Sequence, residues 1–161
     1  MTFKTSLDKT AQVITIGVAI LFAAIIFGQY KIITDQENST PIYTTAACVL
    51  IYGICYAFRP VNYVLTNEEL IIERPIKNVW IKRSDIKSVE LIDNKIIRRS
   101  IRTFGNGGLF GYYGKFANFK MGSMTWYATR RDRTVLVTTT GNKKIILTPD
   151  EPEQFVASFN M

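Results

Sequence analysis

Two stretches, Ala11–Tyr30 (AQVITIGVAILFAAIIFGQY) and Thr40–Phe58 (TPIYTTAACVLIYGICYAF), decide how the rest of the chain is read. No Asp, Glu, Lys or Arg falls between Lys9 and Lys31, or between Glu37 and Arg59. At a helical rise of about 1.5 Å per residue, a run of about twenty residues matches the roughly 30 Å hydrocarbon core of a bilayer. The pattern predicts two transmembrane helices, over about residues 11–31 and 40–58. The polar link Lys31–Ser39 is short, so the second helix must return antiparallel to the first. The expected organisation is a membrane hairpin over residues 1–58 and one further domain over 59–161.

Charge divides the chain at the same place. In residues 1–58, Lys4, Lys9 and Lys31 balance Asp8, Asp35 and Glu37, so the formal net charge of +7 belongs to residues 59–161. A basic domain tethered to a bilayer points to anionic headgroups, since each Lys or Arg near such a surface contributes about 1 kcal/mol. Nucleic acid, the other usual partner of a basic domain, is not expected, because the tether sets this one beside lipid. Lys4, Lys9 and Arg59 flank one side of the hairpin and Lys31 the other, which places both termini in the cytoplasm. Tyr30 and Tyr43 then fall at the outer interface, and Tyr56 and Phe58 at the inner one. A cleaved signal peptide is not expected, because the first run is long and no small-x-small cleavage site precedes Lys31.

Several chemistries are disfavoured. There is no histidine, which removes the commonest general base and the commonest metal ligand together. Cys48 and Cys55 lie inside the second apolar run and read as reduced packing residues. Gly114-Lys115 is followed by Phe116 rather than Ser or Thr, so it is no phosphate-binding loop. Nothing pairs a nucleophile with a base, and neither enzymatic activity, a metal nor a cofactor is expected. The small residues Ala24 and Gly28, and Gly53 and Ala57, share helix faces. They serve either packing within the hairpin or self-association, and so leave room for a homo-oligomer.

After Arg59-Pro60 the chain changes to short alternating segments: Val61–Thr66, Leu70–Arg74, Asn78–Ile81 and Lys87–Ile92, then Trp126–Thr129, Thr134–Thr139 and Lys144–Leu147. Their length and the turn residues between them predict about seven antiparallel strands. The chain ends in a helix signal: Thr148 as cap, Pro149 at the first helical position and Glu151 completing a capping box. Phe155 and Phe159 share one face of that helix.

Between the two groups of strands lies an unusual segment. Lys95–Arg102 (KIIRRSIR) is densely basic, and Phe104–Phe119 (FGNGGLFGYYGKFANF) mixes glycine with aromatics. Arg98, Arg99, Arg102, Lys115 and Lys120 form either a phosphate-binding face or a solvated basic surface. Gly108, Leu109, Phe110, Gly111, Tyr112, Tyr113 and Gly114 form either a loop that docks a partner or dips into the interface, or one whose aromatics pack beneath it.

The order of these features resembles a bacterial pleckstrin-homology (PH)-like family. The resemblance rests on Tyr63-Val64-Leu65-Thr66, Ile81-x-x-x-Asp85-Ile86-x-x-Val89, the Phe104–Phe116 loop, Tyr127-Ala128-Thr129 and Thr148-Pro149-Asp150-x-Pro152-x-x-Phe155. It covers roughly residues 60–160 and implies two packed sheets with a capping helix, but no defined activity. The expectation is thus an α+β membrane protein of a bacterial inner membrane. Its PH-like domain recognises a protein partner or anionic headgroups, or its hairpin serves assembly of a larger membrane complex.

Overall fold

The computed structural model describes residues 1–35 and 40–160. The apolar runs form α1 (Lys9–Asp35) and α2 (Thr40–Ala57); residues 36–39 of the expected outer link lie outside the described residues. Among the described helices one, over Lys9–Tyr30, is long and apolar enough to cross a membrane by length and composition. The second apolar helix, Pro41–Ala57, is shorter. Phe22 of α1 meets Tyr52 of α2 edge to face at 6.4 Å. Among the described residues no atom lies within 4 Å of where a Cβ would stand on Gly28 or Gly53, so neither mediates a close contact between α1 and α2.

The β-structure contains more strands than the alternating segments suggested. The first sheet runs in the order β1 (Thr2–Lys4), β2 (Asn62–Leu65), β3 (Glu69–Glu73), β4 (Val79–Lys82), all antiparallel. A 3-10 turn at Arg83–Asp85 leads to β5 (Ile86–Ile92) and the one-turn helix α3 (Asn94–Ile97). Then follow β6 (Ile101–Gly108), β7 (Gly111–Asn118), β8 (Gly122–Ala128), β9 (Thr134–Thr139) and β10 (Lys144–Leu147). The second sheet has the order β5-β9-β10-β8-β7-β6. One pairing departs from the antiparallel expectation: β10 lies parallel to β8, because the β9–β10 hairpin inserts β10 between β9 and β8.

Two cores result. Between the sheets, Tyr63, Leu65, Leu70, Ile72 and Ile81 meet Val89, Val135, Val137, Ile145 and Leu147. On the far face of the second sheet, Tyr112, Phe116, Met124, Trp126 and Ile146 are covered by Ala11 of α1 and Ile97 of α3. Both faces of β9 and β10 are therefore buried, which suits their near-continuous Val, Leu and Ile.

The last helix, α4 (Pro152–Asn160), closes an opening between the sheets, with Phe155 fully buried against Phe3 at 5.1 Å and Tyr63 at 6.2 Å. It begins later than the expected capping box. Thr148 is committed elsewhere: its hydroxyl accepts the Thr129 N–H at 3.0 Å and its own N–H donates to the Tyr63 hydroxyl at 3.2 Å. Pro152 takes the first helical position that Pro149 was expected to hold.

The start of the chain belongs to the domain, not only to the hairpin. Beyond the β1 pairing, the Thr5 hydroxyl donates to Thr148 O at 2.6 Å and Asp150 Oδ1 accepts from both the N–H and hydroxyl of Ser6. The division between residues 58 and 59 therefore does not separate two independent bodies. Three residues of strand carry too little pattern to be told from a charged flank.

Candidate functional site

The Phe104–Phe119 segment is a long hairpin, β6–β7, rather than a loop. Gly105 and Gly114 face each other across it, with φ of +104° and +119°. A side chain on either would overlap the opposite backbone, so only glycine fits this crossing. The tip is the two-residue turn Leu109-Phe110, and Phe110 holds φ +58°, a left-handed backbone that a bulky residue rarely adopts.

The tip is held by the chain's own helices. The Phe110 N–H donates to the Thr15 hydroxyl of α1 at 2.9 Å, and its ring meets Tyr52 at 4.8 Å and Tyr56 at 5.4 Å. Arg59 lies over the Tyr56 ring at 4.5 Å and 5.8 Å from that of Phe110. The Tyr113 hydroxyl donates to Cys55 O in the last turn of α2 and accepts from the Asn106 amide at 2.7 Å. Burial pushes Tyr113 well above the ordinary tyrosine range. None of Gly108–Gly114 is exposed. The expected partner loop is thus an internal joint, with Phe110 and Tyr113 held by α1 and α2 rather than packed beneath their own turn.

Tyr112 points the other way. Its hydroxyl donates to Asp8 Oδ1 at 3.3 Å, and Arg131 lies 4.6 Å over its ring. Burial, then the Asp8 charge, push its pKa up to about 12.

The basic residues divide. Arg98, Arg99, Arg102, Lys115 and Lys120 are all exposed, so what divides them is the surface they border. Arg98 borders a shallow hollow of about 580 Å³ that also contains Asp8 and Asp132. Arg102 and Lys115 line a cleft of about 900 Å³ where the sandwich lies open between β4, strands β6, β7, β8 and β10, and the end of α2. Arg74, just after β3, and Lys143, in the β9–β10 turn, complete its cationic lining, and among the described residues no Asp or Glu lines it.

Strand alternation puts these groups together. Lys115 follows Tyr113 by two on β7, Lys143 precedes Ile145 by two next to β10, and Thr125 and Tyr127 are two apart on β8. Lys115 Nζ donates to the Thr125 hydroxyl at 2.7 Å. Arg74 donates through Nε to Lys77 O at 2.5 Å and lies 5.4 Å from the Phe58 ring and 5.8 Å from that of Tyr127. Burial raises the Tyr127 pKa, and the Arg74 charge partly opposes the shift. The wall between the cations is apolar, with Ile54, Phe58, Val79, Ile81 and Ile145.

Neither Arg74 nor Lys143 was singled out in the sequence, since they flank strands far apart in the chain. Their only signal is the period-two register with Ile72 and Ile145. Among the described residues no group of three or more Cys, Asp or Glu gathers as metal ligands.

The fold and this cleft can be set against known proteins. The bacterial PH domain family matches residues 61–161, more than half of the chain. The chain belongs to the bacterial PH domain family. No match is found among curated proteins or among solved structures. The matched segment of this bacterial PH domain begins one residue before β2. The sheet strand β1 and the core residue Ala11 therefore lie outside it.

Proposed function

We propose that this chain is a membrane-anchored, non-catalytic interaction module whose PH domain reads the anionic headgroups of the leaflet it rests on. In this reading α1 and α2 both cross the bacterial inner membrane as a hairpin, with the domain and both termini on the cytoplasmic side. The broad exposure of Ile16, Ile20, Leu21 and Phe27 on α1, and of Val49, Leu50 and Ile51 on α2, supports it. Such contiguous apolar surface is stable against lipid and costly against water. At 18 residues α2 lies near the lower bound for a span.

The observation that carries the headgroup reading is the cleft: among the described residues it has four cations, no carboxylate, and a wall formed by the last turn of α2. Guanidinium and ammonium groups converging without counter-charges suit phosphate oxygens.

The test uses the full chain in mixed bilayers of phosphatidylcholine and phosphatidylglycerol, with spin-labelled lipids reporting the shell around the protein. Enrichment of the anionic lipid, weakened by salt, is expected. A shell of the same composition as the bulk bilayer would refute headgroup recognition. Recovery of the protein in the supernatant after alkaline carbonate would refute the anchor.

A further inference from the structure

Resting on the headgroup reading, we infer that the cleft seats one anionic phospholipid, its phosphate on the cations and an acyl chain along the apolar wall. The argument begins with shape. The cleft is a volume of about 900 Å³, at the upper end of the roughly 300–1,000 Å³ typical of small-molecule sites. A surface that only attracts headgroups needs no such hollow. Its lining is divided by chemistry: Arg102, Lys115 and Lys143 supply charge, while Val79, Ile81 and Ile145 supply apolar surface.

Counter-charges point the same way. Among the described residues the ion pairs within 4.0 Å join Arg130 to Asp132 and to Asp150, and none involves a cleft cation. Lys115 has a neutral partner, the Thr125 hydroxyl, and Arg74 a backbone carbonyl. Cations that line one hollow beside an apolar wall, with neutral partners, leave their charge available to an arriving anion.

Position identifies the occupant. Ile54, Cys55 and Phe58, in and just after the last turn of α2, form one side of the cleft. With α2 in the bilayer, the mouth opens where that helix leaves the hydrocarbon, so a lipid enters sideways without crossing water. Phe104, 76 % exposed at the rim, gives its tail apolar surface to pass over. A water-soluble phosphate ester would use the cations and leave the wall wet.

The experiment is native mass spectrometry of the full chain released in mild detergent from phosphatidylcholine–phosphatidylglycerol bilayers. One retained phosphatidylglycerol per chain is expected. The Arg102→Gln/Lys115→Gln variant should lower its occupancy roughly tenfold or more, because two charge-assisted contacts are lost. Thr125→Trp, which fills the cleft and keeps all four cationic residues while removing the hydroxyl that Lys115 donates to, should lower it comparably. Arg98→Gln/Arg99→Gln should retain wild-type occupancy. Thermal unfolding of each variant confirms the fold, and the exposed Arg102 and Lys115 keep the test valid if Thr125→Trp does not fold.

Unchanged occupancy in the Arg102/Lys115 variant would overturn the proposal. Loss in the Arg98/Arg99 variant alone would overturn it too, while leaving headgroup recognition intact. Displacement of the lipid by glycerol 3-phosphate at equal concentration would show that the wall contributes nothing and would also overturn it. If the wild type retains no anionic lipid and its bilayer shell matches the bulk, both readings fall together.

Discussion

The phenolic oxygen of Tyr113 lies 2.5 Å from the carbonyl oxygen of Cys55, and this bond ties the β-hairpin to the end of α2. Cys55 is two residues from the end of α2, so its carbonyl is among the last four of that helix, which have no partner within it. A strand residue 58 positions later supplies the missing donor.

Tyr113→Phe removes that donor and the acceptor used by Asn106 while keeping the ring. The expected cost is about 1–2 kcal/mol, a typical value for a partly buried hydrogen bond with one partner left unsatisfied. Thermal unfolding of the full chain in detergent measures it. An unchanged midpoint would mean that water replaces the hydroxyl without loss.

Phe110 joins the domain to both helices, through its N–H to Thr15 and its ring to Tyr52 and Tyr56. Phe110→Ala should cost about 3 kcal/mol, as truncation of a buried aromatic does. The effect should be local, because the core around Tyr63 and Phe155 does not include Phe110. Hydrogen exchange is expected to quicken in β6 and β7 and at the end of α2, and to stay slow in β9 and β10. Uniform acceleration would contradict a local joint.

Asp8 holds three donors at the start of α1. Its Oδ1 accepts from the Ala11 N–H at 2.7 Å and from the Tyr112 hydroxyl, and its Oδ2 from the Arg131 N–H at 3.1 Å. Asp8→Ala should destabilise the chain by about 2 kcal/mol, the upper end for a lost N-cap, because donors beyond the helix lose their acceptor too. Asp8→Asn, which keeps the capping oxygen, should recover roughly half. Equal loss in both variants would assign the effect to charge alone.

Tyr112 provides a pH signature. Its folded pKa is raised to about 12 from an ordinary 10.0, so the folded state holds its proton where the unfolded chain releases it. Stability is therefore unaffected below the unfolded pKa of 10.0 and declines as pH rises toward about 12. Tyr112→Phe should flatten that decline in an unfolding series from neutral to alkaline pH. An equally steep decline would place the titration on other tyrosines.

The fragment 61–161, though it spans the family match, should not fold as the full chain does. It lacks β1, whose Phe3 packs on Phe155, and Ala11, which covers the core around Trp126. Poor amide dispersion and a broad thermal transition are expected, with recovery when residues 1–15 are restored. Full dispersion in the fragment alone would show that the N-terminal segment is dispensable.

The sequence made some of this legible and hid the rest for physical reasons. Long uncharged runs announce helices whatever surrounds them, so α1 and α2 were readable. The β-branched alternation of Thr134–Thr139 announced β9 equally well. Strands β6 and β7 escaped because glycine, which marks turns elsewhere, here allows two backbones to cross at Gly105 and Gly114. The start of α4 was misplaced because Thr148 carries a good local capping pattern that Thr129 and Tyr63 override.

The candidate site was half readable. Arg102 and Lys115 stood in a segment that composition picked out. Arg74 and Lys143 join them only through sheet register, which no local window contains.

The anchoring of Asp8 also sets an order on biosynthesis. Its partner Arg131 lies 123 residues later in the chain. At about 5–20 residues per second, the ribosome delivers that partner on the order of ten seconds afterwards. In the membrane reading, α1 enters the bilayer before anything exists to fix its cytoplasmic end. In that same reading its depth is decided late, when the finished domain draws Asp8 and Thr15 into place, so the domain positions the helix.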